Sequence, residues 1–223
     1  MLNKKFSVYA LCMSSIYCVF VCIQNIFEMK SIGSAAFSIM GGGTLVSWIT
    51  FVIMDVTTEL YGKKFSVHLY SFAAVLNLVT IALANIIICL PGTYPQQNEA
   101  FALMFSNGFR SILASFIAFW VGNYINVAIM CRFKQVDKKG TKKSFYVRAV
   151  VSTIFGQFVD NAIFLVIAFA PLGISLFEMT WGGIGQIILC GTLIEIGVEA
   201  LLIPVITQPV CDYIKIKEKQ NEN

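Results

Sequence analysis

The sequence has little charge and almost no histidine. Only 13% of its 223 residues are Asp, Glu, Lys or Arg, and His68 is the single histidine. With 57% hydrophobic residues and a mean hydropathy of +0.77, the chain has too few polar residues to cover the surface of an ordinary soluble domain. The composition therefore predicts an integral membrane protein.

Several patterns that carry chemistry in other proteins are also absent from the sequence. It contains no GxxxxGK[ST] loop, so nothing in it predicts nucleotide hydrolysis. Its seven cysteines are scattered in or beside apolar runs with no CxxC pair, which favours packing roles over a metal site or a disulfide framework. The net charge of +4 comes from short basic clusters beside apolar runs and does not favour nucleic-acid binding. We expect no catalytic residues, no metal and no cofactor.

Six apolar runs are each long enough to cross a hydrocarbon core of about 30 Å. They cover residues 6–27, 34–54, 67–90, 109–131, 145–170 and 181–208. The first run follows two lysines, as in a signal peptide, but it exceeds the usual apolar core of roughly 7 to 15 residues, so we interpret it as a retained helix. Three glycines at 41–43 indicate either a broken helix or a close helix contact, and the close contact is favoured.

Basic residues are concentrated in some of the segments between these runs. Residues 132–148 contain seven of them, whereas the connection between the third and fourth runs contains none. Under the positive-inside rule, residues 132–148, the turn at 62–66 and the tail at 215–219 are cytoplasmic. The sequence thus predicts one all-α, polytopic membrane domain over residues 1–223, with six transmembrane helices and both termini in the cytoplasm.

The fifth run carries polar residues where a membrane helix is normally apolar. Gln157, Asp160 and Asn161 lie in its middle, and Asp160 lies roughly 18 Å along the helix from Arg148. An aspartate near the bilayer centre costs about 2.5 to 3.5 kcal/mol on insertion scales. A chain that keeps such a residue usually has a use for it, so Asp160 is the first candidate for a functional site.

The fourth run has a similar pair of amides. Asn123 and Asn126 are three residues apart, and because the fourth and fifth helices run antiparallel, Asn123 reaches about the depth of Asp160. These side chains would either line one pocket or form hydrogen bonds to one another between helices, each bond contributing about 0.6 to 2 kcal/mol. The presence of an ionisable residue among them favours the pocket.

The sequence has two further pairs of acids, and within each pair the two residues are one helical turn apart. Asp55 and Glu59 fall at the end of the second run, where basic neighbours such as Arg148 offer an ordinary interfacial ion pair. Glu195 and Glu199 lie inside the sixth run, which contains no basic residue. They need a partner, a proton or a ligand.

Two motifs resemble those of a known family. One is DVTTELYGKK at residues 55–64, and the other comprises Arg148, Ser152, Thr153, Gln157, Asp160, Phe164 and the Ile-Ala-Phe end at 167–169. Together they resemble the queuosine precursor transporters, also called the putative vitamin uptake transporter family. The resemblance implies a six-helix, multi-pass protein of the bacterial inner membrane that imports 7-deazaguanine bases: the cyano precursor, the aminomethyl precursor or queuine.

The chain departs from the family pattern at the proposed site. Family members often have a Gln and an Asp in the fourth run, where this chain has Asn123 and Asn126. They also often have a lysine near the position of Glu195. These differences bear on the exact substrate and on the charge of the site.

The residues are suited to a base of this type. A guanine-like edge has two adjacent N–H donors that the carboxylate of Asp160 can accept, and a carbonyl that an amide can bind. Aromatic walls would stack on its faces, and we expect one or two to come from a set of nearby residues. That set is Phe119, Trp120, Tyr124, Phe155, Phe158 and Phe164.

These considerations assign two groups of site residues. Substrate binding is expected at Asp160, Gln157, Asn123, Asn126, Asn161 and Glu199. Gating or proton coupling is expected at Asp55, Glu59, Arg148 and Glu195, and Glu199 also suits that role.

Other classes of function are weighed against this one. A small six-helix protein also fits the substrate-binding subunit of an energy-coupling factor vitamin transporter, which needs a separate ATPase. An intramembrane enzyme has less support, because the sequence offers no metal-ligand or Ser/His arrangement. The sequence leaves open the preferred base, the driving force, the need for an energising partner and the formation of a homo-oligomer within the lipid bilayer.

Overall fold

The computed structural model describes residues 7–28, 30–34, 37–105, 108–136, 141–173 and 178–222. Apart from one short β-hairpin, every regular element in these residues is a helix. The elements in chain order are α1 (Val8–Glu28), β1 (Ser31–Ser34), β2 (Phe37–Gly41), α2 (Thr44–Ile88), α3 (Pro95–Phe105), α4 (Gly108–Val136), α5 (Lys142–Phe169), α6 (Trp181–Leu202), a π-helical segment (Ile203–Thr207) and α7 (Gln208–Glu222).

The expected all-α, polytopic membrane architecture is confirmed. Five stretches of helix in the described residues are long and apolar enough to cross a bilayer: α1, α2, most of α4, α5, and the run from α6 into α7. Their outward faces are rich in exposed leucine, isoleucine, valine and phenylalanine, while 18 polar or charged side chains of the described residues are buried inside the bundle. This inside-out distribution suits a protein that is surrounded by lipid.

Helix α2 consists of two helical arms, one on each side of Gly62, that form an antiparallel helical hairpin. Gly62 interrupts it with φ 79° and ψ 177°, a conformation that is essentially restricted to glycine. Gly43, before the first arm, lies against Gln24 of α1, and Thr80 of the second arm lies 3.8 Å from Cys22 of the same helix. The two arms therefore run in opposite directions along α1, and they correspond to the second and third apolar runs.

The predicted start of the second run is wrong. Its helix begins at Thr44 rather than at residue 34, because residues 31–34 pair with residues 37–41 as antiparallel β-strands. The adjoining glycines make a close contact with α1: a Cβ atom at Gly42 would lie 2.4 Å from the carbonyl oxygen of Phe27. The contact joins a turn to the end of a helix, and α2 has no break at these glycines.

Helices α4 and α5 cross closely at two glycines. A Cβ atom at Gly122 would lie 2.9 Å from the carbonyl oxygen of Gly156, and one at Gly156 would lie 2.9 Å from the Cβ of Asn126. Small residues at a crossing let two membrane helices approach closely. This approach brings the polar faces of α4 and α5 together in the interior.

The sixth run is longer and less regular than a single helix. Regular α-helix ends at Leu202, the π-helical segment contains Pro204, and α7 continues from Gln208. Proline has no N–H to donate, so a change of hydrogen-bond register at this point has a clear cause. We call the end of the bundle that holds β1 and β2 the hairpin end, and the opposite end the Gly62 end.

Candidate functional site

A polar cavity of about 40 Å³ lies between five helices, in the half of the bundle nearer the hairpin end. By volume it holds about three water molecules. Eleven residues from α1, α2, α4, α5 and α6 line it: Gln24, Asn25, Glu28, Thr44, Ser115, Ala118, Phe119, Asp160, Asn161, Phe164 and Glu195.

Asp160 is the carboxylate of this cavity with a free oxygen. Its Oδ1 is buried and has no hydrogen-bond partner among the described residues. Gly122 permits this placement, because a Cβ atom there would lie 2.8 Å from the Cβ of Asp160. A buried acceptor without a donor is costly unless a ligand or a proton completes it.

Two more carboxylates line the cavity, and both have donors. Glu195 accepts hydrogen bonds from Ser47 Oγ at 2.7 Å and from Asn161 Nδ2 at 2.9 Å. Glu28 accepts from the backbone N–H groups of Gly43 and Thr44, where α2 begins. A carboxylate at that position is stabilised by the free N–H groups and by the dipole of the helix.

The amide side chains of the cavity also differ in whether they have hydrogen-bond partners. Asn25 Oδ1 accepts from Ser115 Oγ at 2.7 Å, and Asn161 Nδ2 also donates to Thr192 Oγ1 at 3.1 Å. In contrast, the Oε1 of Gln24 is buried and has no partner among the described residues. Gln24 and Asp160 are therefore the two lining side chains with unused buried acceptors.

Two phenyl rings complete the lining, those of Phe119 and Phe164. They belong to the six aromatic residues expected near the site. The other four face outward and are each 41–52% exposed: Trp120, Tyr124, Phe155 and Phe158.

Asn123 is committed to a contact between helices. Its Oδ1 accepts a hydrogen bond from the hydroxyl of Tyr17 at 3.0 Å, and its Nδ2 donates to the carbonyl of Phe119 at 2.8 Å. The two side chains lie on α4 and α1, so the bond ties these helices together. Asn123 is not among the residues that line the cavity.

Asn126, Gln157 and Glu199 lie deeper, toward the Gly62 end. Each is at most 1% exposed, and none of them lines the cavity. Neither amide has a hydrogen bond to its side-chain oxygen or nitrogen within the described part of the chain. Glu199 accepts from Thr153 Oγ1 at 2.7 Å, and its carboxyl faces that of Asp55.

Glu59 and Arg148 form an ion pair nearer still to the Gly62 end, at 3.2 Å. Glu59 forms two more ion pairs: its Oε2 lies 3.2 Å from Nζ of Lys134, and its Oε1 lies 3.5 Å from Nζ of Lys215. Asp55, one turn away on α2, forms no ion pair within the described residues and is 1% exposed. The interfacial ion pair considered for both acids thus holds for Glu59 alone.

The structure brings together part of the predicted set and adds to it. Asp160, Asn161 and Glu195 share the cavity, although Glu195 was expected to act in gating. Sequence reasoning missed Gln24, Asn25 and Glu28, which lie in the last turns of the first apolar run. Their spacing along one helical face was the available signal.

The chemistry of the cavity is that of an acidic, hydrogen-bonding site. Its lining residues include three carboxyl groups and three amides but no lysine, arginine or histidine. No group of three or more His, Cys, Asp or Glu side chains among the described residues is arranged to hold a metal ion. The cavity suits a ligand that donates hydrogen bonds or carries positive charge.

A comparison with protein-family models gives one match that covers most of the chain. The model described as "Putative vitamin uptake transporter" matches residues 41–208, from the end of the β-hairpin to the start of α7. No curated protein and no solved structure matches the chain. The matched range contains the closely packed α4 and α5 and four of the helices that line the cavity, and on this basis the chain belongs to the Putative vitamin uptake transporter family.

Proposed function

We propose that this protein imports a queuosine precursor, a 7-deazaguanine base, across the bacterial inner membrane for tRNA modification. The observation that carries the proposal is the free Oδ1 of Asp160 in a cavity with two phenyl rings. A 7-deazaguanine base has two adjacent N–H donors and flat faces, so it matches both features.

Each lining group has a definite role in this proposal. Asp160 accepts the two adjacent N–H donors of the base, and the amide of Gln24 donates from its Nε2 to the carbonyl on the same edge. Phe119 and Phe164 supply the aromatic faces. Asn161 and Ser47 hold Glu195 in place through the hydrogen bonds that they donate to it.

The cavity is too small for a bicyclic base in the described conformation. A transporter must open its site alternately to the two sides of the membrane, so one closed arrangement with a small central space is expected. We infer that binding requires helices to separate near Asp160. In this proposal, the ion pairs that Glu59 forms with Arg148, Lys134 and Lys215 keep the Gly62 end closed during that step.

The proposal is tested in a bacterial strain that cannot make the precursor. The queuosine content of its tRNA is measured after addition of the base, with the wild-type chain, with Asp160→Ala and with Asp212→Asn. Asp212 is a partly exposed acid that pairs with Lys142 at 3.1 Å on the surface, so its change controls for loss of an acid. Wild type and Asp212→Asn should restore queuosine, whereas Asp160→Ala should abolish it at an unchanged protein level. Uptake that survives Asp160→Ala refutes the site assignment.

A second experiment separates this proposal from the energy-coupling factor alternative. The purified chain is reconstituted alone in liposomes and given labelled base. Uptake without ATP or any other subunit supports a self-sufficient transporter. Binding without uptake would support the subunit.

A further inference from the structure

Asp55 and Glu199 form an acid pair inside the bundle that is separate from the cavity. The side chains face each other from α2 and α6, and both are 1% exposed. No donor in the described residues makes a hydrogen bond of normal geometry to either oxygen of Asp55 or to Oε2 of Glu199, although the side chain of Asn126 approaches Asp55. Two ionised carboxylates are acceptors only, so this contact lacks a donor unless one of the acids carries a proton.

The surroundings of the acid pair favour a bound proton over a bound metal ion. Asn126 of α4 and Thr153 of α5 contact it and are both uncharged. The charged groups that face it are acids as well: Glu59 on the side of the Gly62 end and Glu195 on the other. Arg148, toward the Gly62 end, forms its ion pair with Glu59 at 3.2 Å. Within the described residues, no group of three or more His, Cys, Asp or Glu side chains, at this pair or elsewhere, is arranged to hold a metal ion.

The pair is connected to the cavity through α6. Glu195 and Glu199 lie one turn apart on the same face of that helix, the first at the cavity and the second in the acid pair. The π-helical segment with Pro204 follows directly after this turn, and the backbone N–H of Ile203 donates to the carbonyl of Glu199. Irregular helix at this point is a natural place for α6 to bend.

We propose that the Asp55–Glu199 pair is the proton-binding site that couples import of the base to inward movement of protons. A proton from the outer side joins the pair when the cavity binds its substrate. Movement of α6 then separates Asp55 from Glu199, and the proton leaves to the inner side. No bond other than those to the proton is made or broken in this cycle.

The proposal rests on the proposed function, and the test distinguishes the two. Proteoliposomes containing the full chain are given labelled 7-aminomethyl-7-deazaguanine, with and without an inward proton gradient, while an internal dye reports pH. With one proton per base, a gradient of one pH unit supports at most about tenfold accumulation. If wild type takes up no base under any condition, the proposed function fails. If it takes up base equally with and without the gradient, or if a sodium gradient alone drives accumulation, only the coupling proposal fails.

Two variants locate the coupling site. Asp55→Asn and Glu199→Gln remove an acid but keep a similar shape, so each should lower the ratio of gradient-driven to gradient-free uptake to about one. Asp212→Asn should keep the ratio of wild type, because it removes an acid outside the interior. Counterflow, in which internal unlabelled base exchanges with labelled base, confirms that a variant is folded. A full gradient response in both variants overturns the assignment.

Discussion

Gly122 and Asp160 are in direct contact across the α4–α5 crossing: a Cβ atom at Gly122 would lie 2.8 Å from the Cβ of Asp160. The absence of a side chain at one residue therefore fixes the position of a carboxylate at the other. This relationship connects the packing of the bundle to the chemistry of the cavity.

We predict that Gly122→Ala lowers both stability and uptake. The added methyl must displace Asp160 or separate the helices, which typically costs 1 to 3 kcal/mol. Gly197→Ala is the matched control, because a Cβ atom at Gly197 meets nothing within 4 Å. Thermal unfolding in detergent and uptake in liposomes measure the two effects. Equal behaviour of the two variants would show that the contact has no consequence.

We predict that the cavity prefers the aminomethyl base to the cyano base. The aminomethyl group is a cation at neutral pH, and the lining residues include three carboxyl groups and no basic side chain. Competition for uptake of labelled base measures the preference. Glu195→Gln should reduce it by removing one acid, and a stronger inhibition by the neutral nitrile in wild type would contradict the prediction.

We predict that Tyr17 and Asn123 act as one structural unit. Tyr17→Phe removes the donor to Asn123 and should destabilise the protein by about 0.6 to 2 kcal/mol, the range for bonds between membrane helices. Asn123→Ala should cost little more once Tyr17 is phenylalanine, so a double-mutant cycle should show coupling. Tyr124→Phe is the control, since its ring is 43% exposed. A large change in apparent affinity for the base in Asn123→Ala alone would instead favour a role in binding.

We predict that Gly62→Ala destabilises the fold without touching the cavity. The backbone there has φ 79° and ψ 177°, and holding alanine in such a conformation costs about 1 to 3 kcal/mol. Gly182→Ala is the control, because that glycine lies at the start of α6 without positive φ and without neighbours within 4 Å of an added Cβ. A lower midpoint of thermal unfolding for Gly62→Ala alone is the expected result.

The class of fold could be predicted because each membrane crossing needs about 20 mostly apolar residues. The mean hydropathy of so long a segment is a strong signal that single residues do not change. The error at residues 34–41 has the same origin. That segment is apolar enough to extend the second run, but hydropathy does not distinguish a short β-hairpin from the first turns of a helix. The turn at residues 62–66 was predicted, because charged residues separate the second and third runs there, and α2 is interrupted at Gly62.

The candidate site was predictable where an unusual residue lies deep in a run, as Asp160 does. Gln24 and Glu28 were missed because polar residues at the end of a run are common and are normally explained by the membrane boundary. Their spacing shows that they share a face of α1, but that this face packs against the start of α2 and lines a cavity is known only from the fold. The separation of Asn126 and Gln157 from the cavity likewise depends on how far α4 and α5 are shifted along the bundle axis relative to the other helices.

The single helical turn between Glu195 and Glu199 has one more consequence. Both acids precede the π-helical segment that contains Pro204, so a tilt of α6 about that segment would move Glu195 and Glu199 together. In the proposed cycle, binding of the base beside Glu195 and release of the proton from Glu199 would then belong to one movement. Base and proton would cross the membrane in a fixed ratio, and neither would cross alone.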